Sequence, residues 1–364
     1  MGEKRTVDVV IVGVVMALLS LGVVMVYSAS SVALIAESQD AFYYLKYQAL
    51  WAAVGLSGMY VASRVDYRHL ERWANLLFVV NLILLVLVLV PGIGRVSHGA
   101  RRWIGLGPLG VNPAEIMKFS FVLFLARYMS RRGEGMRRFW TGLLPPLVAV
   151  AAVFGLILLE PDLGTAVSLA GCVVIMIFAG GAKIGHLLGL GFVALPAFLW
   201  AVLGEEYRRR RLLAFVNPWA DPQGSGYQII QALYALGSGG LFGLGLGGSR
   251  QKFFYLPARH TDFIFAIIAE ELGFLGAATV VALFAAFAWR GYRVAVRAPD
   301  TFGSLVAVGM TSMIGLQAVI NIGVIVSLFP ITGIPLPLIS YGGSSLVFSL
   351  VGIGVLLSVS RAAR

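Results

Sequence analysis

Apolar stretches long enough to cross a lipid bilayer as helices recur along almost the whole of this 364-residue chain. A spanning helix takes about 20 residues. We place the spans near residues 7–28, 46–63, 73–91, 114–129, 142–159, 163–181, 184–204, 263–289, 303–329 and 343–360. Charged residues make up 12% of the chain, whereas soluble domains contain about 25%. The sequence therefore predicts an all-α polytopic membrane protein, with about ten transmembrane helices in a single membrane domain.

The positions of the basic residues predict how these helices are oriented. If the N-terminus is cytoplasmic, more than half of the 28 Lys and Arg residues lie in short cytoplasmic loops, as the positive-inside rule expects. The densest of these loops is 127–138, and the opposite orientation would place it outside. The longest connection, residues 205–262 between the seventh and eighth spans, is then extracytoplasmic.

Two of the outer loops are nevertheless basic. Loop 91–113 carries Arg95, Arg101, Arg102 and Trp103, and loop 205–262 carries Arg208–Arg211, Arg250, Lys252 and Arg259. Long loops cross a membrane regardless of their charge, so the topology stands and the outer face is predicted to be cationic. The cations would bind either anionic headgroups or an anionic substrate. Trp103 is either an interfacial anchor or a platform for a sugar.

The long outer loop is predicted to contain a helix of its own. Residues 226–241 place apolar side chains at helical spacing, and a helix of this kind between two spans would be re-entrant or interfacial.

Asp262 lies at the boundary between water and lipid. The stretch Phe254–Gly273 (FYLPARHTDFIFAIIAEELG) begins polar and basic, with Arg259 and His260, and becomes apolar at Phe263. A carboxylate held among cations at the mouth of a membrane helix suits an anionic substrate that is attached to a lipid.

Other ionisable residues near the predicted span ends allow a structural and a functional interpretation. Glu115 and Lys118 have the i,i+3 spacing of a local ion pair, or they contact the substrate. Asp162 follows Glu160 and Pro161, and it either caps the next helix or belongs to a site. Glu270 and Glu271 lie about two turns into the eighth span, where carboxylates are usually paired or line a cavity. We favour pairing with a basic partner.

Several other kinds of site are excluded. Residues 243–248 match G-x-G-x-x-G, but no strand precedes them as a dinucleotide site requires, so we expect these glycines to pack against membrane helices. Cys172 is the only cysteine, and His69, His98, His186 and His260 are scattered. We therefore expect no dedicated metal or cofactor site, no disulfide and no nucleic-acid partner. A Mg²⁺ ion carried by a diphosphate substrate would need only one or two carboxylates.

Several motifs together resemble one family. They are YSASS at 27–31, NPAEIMK at 112–118, EPDLGT at 160–165, NPWADPQGSGYQ at 217–228, LPARHTDFIFAIIAEELG at 256–273 and PLPLISYGGSS at 335–345, which contains Ser340 and Tyr341. The chain resembles the SEDS family of membrane peptidoglycan polymerases over nearly its whole length. The run ending GSRQK at 248–252 is more similar to FtsW and SpoVE than to RodA.

The resemblance implies a specific chemistry. Such proteins join lipid II, a lipid-linked disaccharide–pentapeptide, into β-1,4 glycan outside the cytoplasmic membrane and release undecaprenyl diphosphate. Asp262 matches the family's essential aspartate, and Trp103 its outer-loop tryptophan. The growing glycan, a class B penicillin-binding protein and other divisome or elongasome proteins are the implied partners. Whether this chain serves division, elongation or sporulation stays open.

Three functions are compatible with these residues. In the first, Asp262 is the general base of a glycosyltransferase, and outer cations stabilise the leaving diphosphate. In the second, the protein moves lipid-linked precursor across the bilayer, an idea motivated by Glu270 and Glu271. In the third, it is a non-catalytic scaffold for a transpeptidase. We predict the first, with substrate contacts from Arg101, Arg102, Trp103, Glu115, Lys118, Asp162, Arg208, Arg209, Arg250, Lys252, Arg259, His260, Glu270, Ser340 and Tyr341.

Overall fold

Twelve α-helices and one short hairpin make up the described part of the chain. The computed structural model describes residues 7–97, 100–105, 110–253 and 255–363. The helices are α1 (Val9–Ala36), α2 (Tyr43–Arg64), α3 (Tyr67–Leu89), α4 (Pro113–Arg132), α5 (Leu144–Leu159), α6 (Leu163–Ala179), α7 (Ile184–Leu203), α8 (Glu206–Val216), α9 (Tyr227–Gly239), α10 (Ile264–Arg297), α11 (Thr301–Ile325) and α12 (Gly343–Ala362). The strands are β1 (Gly94–Ser97) and β2 (Ala100–Ile104).

Each apolar segment expected to span the membrane coincides with one of these helices, so the helical membrane architecture is confirmed. Among the described residues, six helices are long and apolar enough to cross a bilayer. They are Val9–Ala36, Tyr67–Leu89, Phe139–Leu159, Ile264–Arg297, Thr301–Ile325 and Gly343–Ala362, and the shorter Leu163–Ala179 is also apolar. Phe139–Leu159 consists of α5 and the π-helical turn Phe139–Leu143 that leads into it. The number of ten spans stays a prediction.

Side-chain caps explain where several helices begin. Asp8 accepts hydrogen bonds from the first turn of α1, Asn112 from that of α4, and Asp300 from that of α11. Such a residue satisfies N–H groups that have no partner within the helix. Pro113 occupies the first position of α4, where a missing N–H costs nothing.

The structure adds two elements to the all-α prediction. In loop 91–113, β1 and β2 pair antiparallel, with Arg95 opposite Trp103. In loop 205–262, the arginine run lies on helix α8 although its charge favoured a loop. Helix formation is consistent with its composition, since Arg and Leu are good helix formers and Arg210 pairs with Glu206 at the i,i+4 spacing. The helix expected within 226–241 is confirmed as α9.

The bundle has two chemically different ends, which we name here. At the basic end, α1 begins beside the last turns of α10, where Arg290 binds Asp8 at 2.6 Å, and α2 and α12 both finish there, joined by a hydrogen bond from Arg361 to the Ser63 carbonyl. The opposite end, the Asp262 end, holds the start of α4, where the Asn112 N–H donates to Ser344. Helices α11 and α12 form the centre, with most of their side chains buried.

Candidate active site around Asp262

Asp262 is held in a turn against the connection between α11 and α12. It precedes the start of α10 by two residues and is half-buried. Its carboxylate oxygen Oδ2 would lie 3.6 Å from a Cβ built on Gly333. Gly333 has φ of 76°, a conformation that glycine adopts without strain. We call residues 326–342 the α11–α12 loop, and it forms one wall beside the carboxylate.

Three consecutive carbonyls fix the backbone that carries this carboxylate. The Tyr341 N–H donates to the His260 carbonyl at 2.9 Å, and the Ser340 hydroxyl donates to the Thr261 carbonyl at 2.6 Å. The Asn321 amide donates to the Asp262 carbonyl at 2.7 Å. Since Asn321 lies on α11 and the other two donors on the α11–α12 loop, the segment is tied to one structural unit at every residue.

Ser340 is therefore placed differently from what its predicted substrate contact would require. Its side chain is buried, and the hydroxyl also accepts a hydrogen bond from the Leu336 N–H at 2.8 Å. The hydroxyl thus donates one hydrogen bond and accepts another, both within the protein. Ser340 holds Asp262 in place rather than presenting a group to solvent.

Aromatic rings pack around His260. The ring centroid of His260 is 4.3 Å from that of Tyr44 and 5.9 Å from that of Tyr341. Burial, reinforced by the nearby Arg259 charge, lowers the pKa of His260 to about 4, and burial raises the pKa of Tyr341 to about 12. Both side chains are therefore neutral near pH 7.

Arg102 connects the hairpin to the turn between α5 and α6. Its guanidinium donates to the Glu160 carbonyl at 2.8 Å and to the Pro161 carbonyl, and it lies 3.8 Å from the Asp162 carboxylate. Asp162 also accepts from the Thr165 N–H at 3.0 Å, so it caps α6, the structural one of its two interpretations, while its substrate contact stays a prediction.

That turn packs on the α11–α12 loop. A Cβ on Gly164 would come within 2.9 Å of the Thr332 carbonyl oxygen, so only glycine permits this approach. The turn therefore meets the loop one residue away from Gly333, which lies beside Asp262.

Arginines of α8 reach the same region. Arg208 donates to the Leu158 carbonyl at the end of α5 at 3.3 Å, and Arg211 donates to the Ile331 carbonyl at 3.2 Å. Arg211 thus contacts the α11–α12 loop directly, whereas Arg208 and Arg102 bind carbonyls at the end of α5 and in the turn that packs on this loop. Arg209 and Arg250 are exposed. Arg259 precedes Asp262 by three residues and donates to the Ala29 carbonyl at 3.1 Å; contacts of these arginines with substrate stay a prediction.

Trp103 and Arg101 lie on β2 on either side of Arg102. Arg101 donates to the Leu89 carbonyl at 3.5 Å, which anchors the strand to the end of α3. Trp103 is half-buried. A contact of either residue with substrate stays a prediction.

Lys252 and Glu271 form a buried ion pair, and this corrects the expectation that Lys252 belongs to the exposed cationic surface. The Lys252 ammonium is 3.0 Å from Glu271 and 2.7 Å from the Gly247 carbonyl, and the lysine side chain is 2% exposed. Ser28 of α1 donates to the same carboxylate at 2.7 Å. The predicted pairing of a membrane glutamate with a base is confirmed for Glu271.

Glu270 has a similar structural role. It accepts from the Arg250 N–H at 2.9 Å and from the Gln251 N–H at 3.3 Å, so it fixes the backbone of the GSRQK run. The expected packing of the preceding glycines holds in part: a Cβ on Gly239 or Gly243 would collide with the backbone of α10, whereas one on Gly245 would meet open space.

Glu115 and Lys118 form the predicted ion pair at 2.7 Å, with the two side chains 8% and 0% exposed. The pair lies in the first turns of α4, at the Asp262 end. The contact is close but poorly aligned for a hydrogen bond, and neither charged atom of it has another described partner. The pair therefore has unused hydrogen-bonding capacity, and its predicted contact with substrate stays a prediction.

Sequence reasoning missed Asn321, Gly333 and Ser28. An asparagine inside an apolar span is a signal, because polar groups at that depth need partners. Gly333 and Ser28 carry no such signal, since their importance depends on contacts with residues distant in the chain. Among the described residues, no group of three His, Cys, Asp or Glu side chains is placed to hold a metal ion.

Comparison with known proteins agrees with this geometry. The family model described as "Cell cycle protein", for FtsW, RodA and SpoVE, matches residues 8–364. Stage V sporulation protein E of Bacillus subtilis (strain 168) is 48% identical over 362 residues, covering 100% of this chain and 99% of that protein. A "Probable peptidoglycan glycosyltransferase FtsW" of Trichlorobacter lovleyi is 45% identical over 353 residues, covering 97% and 93%.

Solved structures are also similar. A chain of the structure described as "Structural coordination of polymerization and crosslinking by a peptidoglycan synthase complex" has a TM-score of 0.81 at 34% identity, covering 98% of both chains. The rod shape determining protein RodA of Thermus thermophilus has a TM-score of 0.71 at 32% identity, covering 98% of this chain and 97% of that one. The chain therefore belongs to the FtsW, RodA and SpoVE family of cell cycle proteins, as its motifs indicated.

Proposed function

We propose that this protein is a peptidoglycan glycosyltransferase that polymerises lipid II into β-1,4 glycan strands. The observation that carries the proposal is the Asp262 carboxylate, held at one end of a membrane bundle in a turn whose three carbonyls accept hydrogen bonds from α11 and the α11–α12 loop, a loop that Arg211 also binds. Relatives of 45% and 42% identity are named peptidoglycan glycosyltransferases, which supports the same activity here.

Asp262 acts as the general base in this reaction. It accepts the proton of the acceptor sugar's 4-hydroxyl while that oxygen attacks the anomeric carbon of the donor. The bond from this carbon to the diphosphate breaks, undecaprenyl diphosphate leaves, and the configuration at the carbon inverts. The proton passes from Asp262 to water before the next cycle.

The cations near the α11–α12 loop stabilise the leaving group. Negative charge grows on the diphosphate as the bond breaks, and fixed guanidinium groups lower the energy of that state. Arg102, Arg208 and Arg211 supply this charge, and Lys118 with Glu115 contacts the polar part of the substrate. Mg²⁺, where it takes part, enters with the diphosphate as part of the substrate.

The proposed location and partners follow from the same reaction. Lipid-linked disaccharide is polymerised outside the cytoplasmic membrane, so the Asp262 end faces outward and the basic end faces the cytoplasm. Crosslinking needs a transpeptidase, for which a class B penicillin-binding protein is the proposed partner. The related synthase complex, which coordinates polymerization and crosslinking, supports this pairing.

Polymerisation of purified lipid II by the full-length protein with its partner, in detergent, tests the proposal. Asp262→Asn keeps the side-chain volume and removes the base, so we expect glycan formation to fall by about 10²- to 10⁴-fold. Asp40→Asn is the matched control, because Asp40 is an exposed carboxylate at the same end that pairs with Lys46. An Asp262→Asn protein that folds, binds its partner and polymerises at the wild-type rate contradicts the proposal.

A further inference from the structure

A cleft between α3 and α4 at the basic end is lined mainly by cations and aromatic rings. Its volume is about 210 Å³, and its lining residues are Asn75, Phe124, Arg127, Tyr128, Arg131 and Arg132. It is distant from the Asp262 end, because α4 begins there and reaches the cleft only in its last turns. No step of the proposed reaction uses it.

The three guanidinium groups of the cleft are held by different partners. Arg127 donates to the Arg72 carbonyl at 3.1 Å, and Arg131 donates to the Glu71 carboxylate at 3.0 Å. Arg132 lies over the ring of Tyr128, 5.6 Å from its centroid. Of these three contacts, only that of Arg131 with Glu71 neutralises a charge, so the cleft is strongly positive.

The general roles of arginines at a helix end do not fully explain this cluster. Basic residues in the last turn of a helix interact favourably with its dipole, and they also orient the protein in the membrane. Neither effect requires that three arginines share one concave surface. Tyr128 is itself fixed by a hydrogen bond to the Thr141 carbonyl at 3.0 Å, so the aromatic wall of the cleft is held in place.

The surface leading away from the cleft is apolar. Along α3, the exposed side chains after Asn75 include Leu76, Val79 and Ile83, which are 51%, 48% and 53% exposed. Their spacing places them on one side of the helix, and they run from the cleft toward the middle of the membrane. A ligand with a phosphate headgroup and acyl chains would match both the basic cleft and the apolar face of α3.

We propose that this cleft binds the phosphate headgroup of an anionic phospholipid. Guanidinium groups hold phosphate oxygens through paired hydrogen bonds, and basic pockets between membrane helices on the cytoplasmic side select anionic headgroups. The acyl chains lie along the exposed face of α3. This assignment is independent of the proposed glycosyltransferase activity.

Native mass spectrometry and thermal unfolding of the full-length detergent-solubilised protein test the assignment. The probe is dioleoyl phosphatidylglycerol, with dioleoyl phosphatidylcholine and inorganic phosphate as separate arms. We expect phosphatidylglycerol to stay bound and to raise the midpoint of unfolding, while the other two do neither. The double variant Arg127→Gln/Arg132→Gln should weaken phosphatidylglycerol binding by roughly tenfold or more.

The matched control is Arg293→Gln/Arg297→Gln, which removes two exposed charges from the last turns of α10 at the same end of the bundle. It should bind phosphatidylglycerol like the wild type. Equal loss in both double variants would show a diffuse charge effect and overturn the site. Binding of inorganic phosphate as tight as that of the lipid would overturn the assignment to a lipid.

Discussion

Glu160 illustrates how a single buried carboxyl is tuned by its position. Its side chain is fully buried in the turn between α5 and α6, and neither carboxyl oxygen has a described hydrogen-bond partner. Burial is the main cause that raises its pKa to about 8, the neighbouring Asp162 charge adds to the rise, and Arg102 opposes it. Glu160 therefore holds a proton at neutral pH, while its backbone carbonyl still binds Arg102.

This protonation makes stability depend on pH. In the unfolded chain the carboxyl loses its proton above its ordinary pKa of 4.5, whereas the folded protein keeps it until about pH 8. The folded state binds more protons between these values, so stability falls as pH rises through this window. The loss is on the order of a few kcal/mol at pH 8.

Glu160→Gln mimics the protonated side chain and should remove this dependence. We expect the variant to unfold at a higher temperature than the wild type at pH 8 and at a similar temperature at pH 5. Thermal unfolding of the detergent-solubilised protein across this range measures the difference. Glu134→Gln, a change at an exposed carboxyl, should leave the pH profile of the wild type unaltered, and an unaltered profile for Glu160→Gln would disprove the assignment.

At the scale of elements, α11 and the loop after it support the candidate base. The Asn321 amide donates to the Asp262 carbonyl at 2.7 Å and to the Ile334 carbonyl at 2.8 Å. One side chain thus joins the turn that carries Asp262 to the loop that carries Gly333. Because both acceptors are backbone groups, Asn321 acts through position and not through contact with substrate.

Asn321→Ala should lower kcat for glycan formation by at least tenfold and leave the KM for lipid II nearly unchanged. Asp262 remains present but is less well oriented, and small displacements of a catalytic group are costly. Asn81→Ala is the control, since Asn81 is also a buried asparagine in a membrane helix and donates within its own helix, to the Leu77 carbonyl. Steady-state kinetics of both variants measure kcat and KM. An equal loss of kcat in the two would indicate a general effect of removing a buried amide and would contradict the positioning role of Asn321.

The elements divide sharply into those that the sequence predicts and those that it does not. Continuous apolar runs determine the membrane helices, because the cost of burying polar groups in lipid leaves few alternatives. Helix α8 was missed because its run of arginines is typical of a solvated loop. The hairpin was missed because its two strands are too short to show an alternating pattern. The position of Asp262 at a helix mouth was predictable, whereas its support by Asn321 and Gly333 depends on packing between residues about 60 or more positions apart in the chain.

At the scale of the whole molecule, the two ends differ in what their basic residues do. At the Asp262 end, Arg102, Arg208 and Arg211 bind backbone carbonyls of the α11–α12 loop and of the α5–α6 turn that packs on it. At the basic end, arginines finish α4 and α10 and line the cleft beside α3. In the two proposals above, the basic residues of the Asp262 end serve an anionic substrate and those of the basic end an anionic lipid, and only the first group must face outward.

Cysteine labelling measures this orientation directly, because Cys172 is the only native cysteine and is buried. Gln39→Cys places an exposed thiol in the turn between α1 and α2 at the Asp262 end, and Glu134→Cys places one just beyond α4 at the basic end. A membrane-impermeant maleimide should label the first in intact cells with a permeable outer layer, and the second only after the cytoplasmic membrane is opened. Labelling in the reverse order would put Asp262 on the cytoplasmic side, where no external glycan could be made, and would exclude the proposed reaction.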